Sequence, residues 1–141
     1  MPNEYLQQVR APGQDVNHLF AFLGVEVAEI EPGRAVLRLP VKSELLQGAG
    51  MAAGGVMATL MDEAMAHAVL AGNRPGELTT TVDMNVSYLR AVGRGAVLTC
   101  EARVVKRGGR VVFAEASLTA DGRESARATA TFMLLGQPAR S

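Results

Sequence analysis

The 141-residue chain has one cysteine, no tryptophan and few other aromatics, two Tyr and four Phe. A lone thiol, Cys100, cannot close an internal disulfide, so a reducing compartment is the default expectation. Its strand-like surroundings mark it as a small buried hydrophobe. Net charge is also missing, because fourteen Lys and Arg offset fourteen Asp and Glu. That balance removes any global pull toward nucleic acid or an anionic membrane and leaves only local charge recognition. A clean long apolar run is absent too. Glu4, Arg10 and Asp15 interrupt the stretch where a signal peptide would be apolar. The most apolar segment is broken by Asp62, Glu63 and His67, short of the roughly twenty clean residues of a membrane span. No phosphate-loop or dinucleotide fingerprint follows a strand. The expectation is a soluble cytoplasmic protein that uses no cofactor, with no nucleic-acid or membrane partner.

The rest of the chain is organised around residues 47–71, QGAGMAAGGVMATLMDEAMAHAVLA. Small residues and glycines lead into an apolar helical pattern over 56–71, with Thr59, Asp62, Glu63 and His67 on one narrow polar stripe. Such a helix is buried almost all round, and an acid on it is costly to keep. Before it, residues 1–14 read as an irregular lead-in, with Pro2, Pro12 and Gly13 discouraging regular structure. Asp15 is the expected N-cap of a short helix through Val16, Leu19, Phe20 and Leu23, stopped by Gly24. Residues 25–30 and 34–41 form a hairpin turned at Pro32-Gly33. After the long helix, 79–90 alternates with Val82, Met84, Val86 and Tyr88 on one face, read as buried. Strands at 96–106, 110–120 and 125–135 follow, separated by turns at Gly93-Arg94-Gly95, Gly108-Gly109 and Asp121-Gly122, where glycine supplies positive φ. These four strands are expected to form one antiparallel meander. The reading is a single α+β domain over 15–136 with a tail at 137–141: an antiparallel six-stranded sheet wrapped round one long central helix.

This order of elements, with GMAAGGVMATLMDEAMAHAV, TTTVDMNVSYLRA and VVKRGGRVVFAEASLTADGRESARATATF, resembles the hotdog-fold acyl-CoA thioesterases of the PaaI type, over roughly residues 16–135. The family usually carries His-Gly-Gly before the helix and an Asn six residues ahead of that His. Ala53-Gly54-Gly55 and Gln47 stand there instead. A related branch acting on aromatic acyl-CoA is similar in using a Gln seven residues before the oxyanion glycine and an acid eight after it, the spacing of Gln47, Gly54 and Asp62, although that acid is commonly Glu. The resemblance implies Asp62 as general base or nucleophile, the Gly54 amide as oxyanion donor, and Gln47 and Thr81 as helpers that position carbonyl or water. It also implies an acyl-CoA substrate, with Ala53, Gly55, Met65 and Ala66 against it.

Each residue has a plainer reading beside that one. The glycines could serve helix packing alone, Asp62 could be a solvated acid, Gln47 a loop amide, and Thr81 an ordinary strand residue. Glu63 is the fallback carboxylate. His67 lies four residues after Glu63, but with only His18 and Cys100 as further soft ligands no metal is expected, and His67 reads as a hydrogen-bonded residue near the acyl pocket. Arg90, Arg94, Lys106, Arg107 and Arg110 form a cluster in sequence. They suit coenzyme A phosphates, Arg90, Arg107 and Arg110 foremost, or form a solvated edge.

Eight helical steps put Gly54 and Asp62 about 12 Å apart along the axis. To act on one thioester they must come from different subunits, with helices antiparallel across a two-fold axis. A homodimer with composite sites is therefore required, and the resemblance extends it to a homotetramer. The other functions left open are a non-catalytic acyl-CoA binding protein and an enoyl-thioester hydratase.

Overall fold

The computed structural model describes residues 2–136, with side chains from residue 4 onward. The expected tail at 137–141 lies outside the described residues. In chain order the elements are α1 (Pro2–Val9), α2 (His18–Leu23), β1 (Glu26–Glu31), β2 (Arg34–Pro40), α3 (Gly54–Leu70), β3 (Leu78–Tyr88), β4 (Val97–Arg107), β5 (Val111–Ala120) and β6 (Arg123–Leu135). The helix α3 packs on β2, β3, β4, β5 and β6, which is the sheet wrapped round a helix expected of a hotdog fold. Among the described residues no helix is long and apolar enough to cross a membrane.

Alternation explains the packing. Ala35, Leu37 and Leu39 of β2, Leu98, Cys100 and Ala102 of β4, and Val112 and Leu118 of β5 are buried on the inner face. On their inner faces β5 and β6 present alanines to the core: Ala114, Ala116, Ala126, Ala128 and Ala130, all buried. Small side chains let the helix approach, and the flexible thioethers of buried Met57, Met61 and Met65 fill what remains. Cys100 is fully buried as expected, and burial pushes its thiol up to about 12, so it is not a nucleophile at neutral pH.

The structure corrects several expectations. The lead-in is not irregular, since α1 forms within it. A proline at the first helical position loses no hydrogen bond, and Leu6 and Val9 are buried in the common core, which outweighs the breakers in the sequence. The N-cap of α2 is Asn17, whose side chain accepts from the Phe20 N–H, and not Asp15. Gly24 closes that helix as expected, at φ 93°.

The strand order is β1-β2-β4-β5-β6-β3, all neighbours antiparallel. Only β4, β5 and β6 form a meander, and β3 pairs with β6. β4 has β2 on one side, from Arg34↔Arg103 to Pro40↔Val97, and β5 on the other, so no edge is left for β3. β3 is thus an edge strand. A bulge between Thr81 and Asp83 shifts its register, and Val82 and Tyr88, expected to be buried, are more than half exposed. Two turn readings also separate. Asp121 and Gly122 take φ 52° and 74°, a left-handed pair that matches the twist of its hairpin. Gly108 needs no positive φ: a Cβ there would stand 2.9 Å from the Val111 carbonyl oxygen, so glycine is required for close approach.

Candidate functional site

The chain enters α3 through a braced loop. Leu46 bridges Ala52, Met51 bridges Gly93, and the Ala53 N–H donates to the Leu45 carbonyl at 2.9 Å. Ala53 is the N-cap residue but has no side chain to satisfy the first turn. Among the described residues the Gly54 and Gly55 N–H groups have no acceptor. Two free donors at the positive end of a 17-residue helix make an anion-binding corner. Tyr88 packs beside it. Its hydroxyl donates to the Gly54 carbonyl at 2.6 Å, and a Cβ on Gly54 would lie 3.3 Å from the Tyr88 ring. Packing against the Tyr88 ring therefore accounts for Gly54, whereas a Cβ on Gly55 would meet nothing within 4 Å.

Two turns along α3, Asp62 is half-buried, and Thr81 Oγ1 of β3 donates to its carboxylate at 2.8 Å. Residues 19 apart in sequence are thereby joined. Ala66 lies one turn further on the same half-buried stripe, whereas Met65, expected against substrate, is fully buried in the core. Glu63 behaves differently from its neighbour. Burial, with the Asp62 charge beside it, pushes its carboxyl up to about 7.

His67 is hydrogen-bonded as expected, and it faces the first two helices. It is buried among Tyr5 and Phe20, with ring centroids 5.7 Å and 5.0 Å away. Its Nδ1 faces the Glu63 carbonyl oxygen at 2.7 Å, so Nδ1 carries the proton and Nε2 accepts from the Tyr5 hydroxyl, also at 2.7 Å. Asn17 Nδ2 in turn donates to Tyr5. Burial holds the imidazole pKa below its ordinary value and the ring neutral. His67 ties α1 and α2 to α3, and it meets the Glu63 backbone rather than the carboxylate with which it could have shared a metal.

Gln47 spends its Oε1 locally, accepting from the Ala49 N–H. Its NH₂ has no partner among the described residues. The arginines do not form one cluster. Arg90 and Arg94 lie in the loop beside Met51 and Tyr88, whereas Lys106 and Arg107 end β4 and Arg110 follows it in the turn, roughly 30 Å away by strand rise. Arg107 is occupied there, donating to the Val69 carbonyl at 2.6 Å and Asn73 Oδ1 at 3.0 Å, where it caps the C-terminal end of α3. Arg110 is exposed at the β4–β5 turn. Arg90 instead lines an open cleft of about 570 Å³ with Gly93, Asp121, Arg123 and Ser125. Arg123 in that cleft and Tyr88 on Gly54 were not singled out by sequence reasoning. The signal for Arg123 was its place directly after the Asp121-Gly122 turn, and for Tyr88 it was a phenol closing a polar-aliphatic strand.

Known proteins bear on this geometry. Residues 49–126, more than half of the chain, match the family model described as Thioesterase superfamily. Human acyl-coenzyme A thioesterase 13 is 30% identical over 95 residues, 67% of either chain. A 3-hydroxyacyl-(acyl-carrier-protein) dehydratase from Lactococcus lactis is 33% identical over 127 residues, 83% of this chain and 88% of that one. The phenylacetic acid degradation protein PaaI of Thermus thermophilus, solved as an asparagine-to-aspartate variant, superposes with a TM-score of 0.79 at 26% identity, covering 84% of this chain and 100% of that one.

Proposed function

The chain belongs to the thioesterase superfamily and is a thioester hydrolase, and from that premise we propose that it cleaves an acyl- or aryl-CoA to the free acid and coenzyme A. The observation that carries this reading is the Asp62 carboxylate, half-buried on α3 and oriented by Thr81 at 2.8 Å, on the same helix as the free amides of Gly54 and Gly55.

Water adds to the thioester carbonyl as Asp62 takes its proton, and the carbonyl oxygen becomes an oxyanion held by the Gly54 amide with Gly55 beside it. Collapse of the tetrahedral adduct breaks the C–S bond. The proton taken by Asp62 goes to the departing thiolate, leaving carboxylic acid and thiol. Direct attack by Asp62, through an anhydride that water then opens, gives the same products. Gln47 offers its free NH₂ to the carbonyl. Ala53 and Ala66 border the acyl group, and Arg90, with Arg123 beside it in the cleft, takes the phosphates of coenzyme A. Arg107 and Arg110 lie at the other end of the sheet and are left out of this site.

The separation of about 12 Å along α3 supports a composite site in which Asp62 of one protomer stands opposite Gly54 of another. The free edge of β3 supports such a dimer. It is eleven residues long, carries exposed Leu78, Val82 and Tyr88, and has neither Lys nor Pro to discourage pairing. A pair of such dimers would make the homotetramer.

The dehydratase relative favours a second reading, addition or removal of water at an unsaturated acyl thioester. Against it, the one histidine of α3 has both ring nitrogens bonded within the fold. Thiol release from a panel of aryl, short and medium acyl-CoAs, run for wild type and Asp62→Asn, decides among these. Turnover in wild type that falls at least about a hundredfold in the variant is expected. Saturable binding without turnover would leave a binding protein, and water addition without thiol release would leave a hydratase.

A further inference from the structure

Tyr88 has no part in the chemistry above, yet it touches the first residue of α3. The carbonyl it holds belongs to the same peptide unit as the Gly55 N–H, one of the two free donors. A hydrogen bond accepted by an amide oxygen polarises that amide and makes its N–H a stronger donor, and it also fixes the plane in which the N–H points. The next carbonyl is treated in the same way, since Thr59 Oγ1 donates to the Gly55 oxygen at 2.8 Å. Hydroxyls thus hold the first two carbonyls of the helix, on the side away from its free amides. The ring adds a steric stop at 3.3 Å, where a Cβ of residue 54 would be.

We propose that Tyr88 is a positioning residue for the oxyanion donors: its hydroxyl, bonded to the Gly54 carbonyl at 2.6 Å, orients and polarises the Gly54–Gly55 peptide so that the Gly55 N–H shares the developing charge with the Gly54 N–H. This rests on the thioesterase reading and deepens it. It assigns the second glycine a donor role and gives the phenol at the end of the edge strand a reason beyond packing. In this role the residue makes no bond to the reacting carbonyl or to the attacking water. It acts through one peptide bond.

The test is Tyr88→Phe, which keeps the ring and removes the hydroxyl. Protein labelled with carbonyl-¹³C and ¹⁵N glycine gives an amide-to-preceding-carbonyl spectrum only from adjacent glycines, and the sequence holds two such pairs, Gly54-Gly55 and Gly108-Gly109. The first reports the Gly54 carbonyl and the Gly55 amide together, and the second is an internal control. In the variant the Gly54 carbonyl and Gly55 amide-proton signals should both move upfield while the Gly109 signal stays. On the best acyl-CoA of the panel, kcat should fall about tenfold with KM within about twofold and an unchanged melting temperature. An unmoved Gly54-Gly55 signal overturns the proposal. So does a moved signal with kcat intact, or a kcat loss that appears only with a raised KM or a lowered melting temperature. If wild type releases no thiol from any substrate, the thioesterase reading fails, and the carbonyl shift alone then decides whether Tyr88 sets this peptide.

Discussion

Asp62 and Glu63 are adjacent carboxylates that α3 turns toward different surroundings. Asp62 meets a strand hydroxyl, whereas Glu63 is pressed toward the protein, with its carboxyl raised to about 7 by burial and by Asp62. Glu63 thus holds its proton in the fold up to about pH 7, while in the unfolded chain it ionises near the ordinary 4.5. The unfolded chain therefore binds fewer protons across that window, and this residue's contribution to stability is lost as pH rises from about 4.5 to 7. Glu63→Gln should stabilise the protein by about 1–2 kcal/mol at pH 8 and flatten that part of the profile, as read by denaturant titration. Thr81→Val removes the hydroxyl that aims Asp62, and kcat should fall about tenfold with little change in stability in the same assays. The spacing of Gln47, Gly54 and Asp62 was legible because motif spacing survives in a linear sequence, and the bond from Thr81 to Asp62 is what the structure adds. Tyr88 was not, since the alternation that writes a core strand also writes an edge strand with a working phenol at its end.

Among elements, the first helices are joined to the central one by the chain Asn17 to Tyr5 to His67 to the Glu63 carbonyl. Tyr5→Phe leaves a buried imidazole nitrogen without its donor and should cost about 1–2 kcal/mol in thermal or denaturant melts. His67 itself, with its pKa lowered by burial, stays neutral where the unfolded histidine charges, so its contribution fades as pH falls below about 6.5. The length of α3, the β1–β2 hairpin and the Asp121-Gly122 turn were all readable from periodicity and turn chemistry. α1 was not, because Leu6 and Val9 gain their burial only from a core assembled far along the chain. The partner of β3 was hidden for a related reason: pairing depends on which edges other strands leave free, and no local pattern records that.

For the whole molecule, the reach of α3 makes a single protomer an incomplete enzyme in the reading proposed here. Gly54→Ala and Asp62→Asn, each inactive alone, should recover about a quarter of wild-type thiol release when unfolded and refolded together, because half of the dimers are mixed and each of those has one intact site. Recovery no greater than the sum of the two variants would place donor and acid in one subunit. Val82→Lys, a charge on the exposed edge of β3, should shift the sedimentation profile toward monomer and lower turnover with it.

The pairing of β3 with β6 also orders events during synthesis. β3, which carries both Thr81 and Tyr88, is made before β4 and β5, yet its lateral partner is the last of the described strands to be made. Until β6 emerges, β3 has nothing beside it, and a nascent chain halted short of residue 123 presents a long strand, charged only at Asp83, that is open on both edges. The slow, long-range closure of the sheet is thus also the step that brings the Asp62 partner and the Gly54 clamp into place. Catalytic competence and completion of the fold would be reached together, and a half-made chain would be prone to aggregate before it could hydrolyse anything.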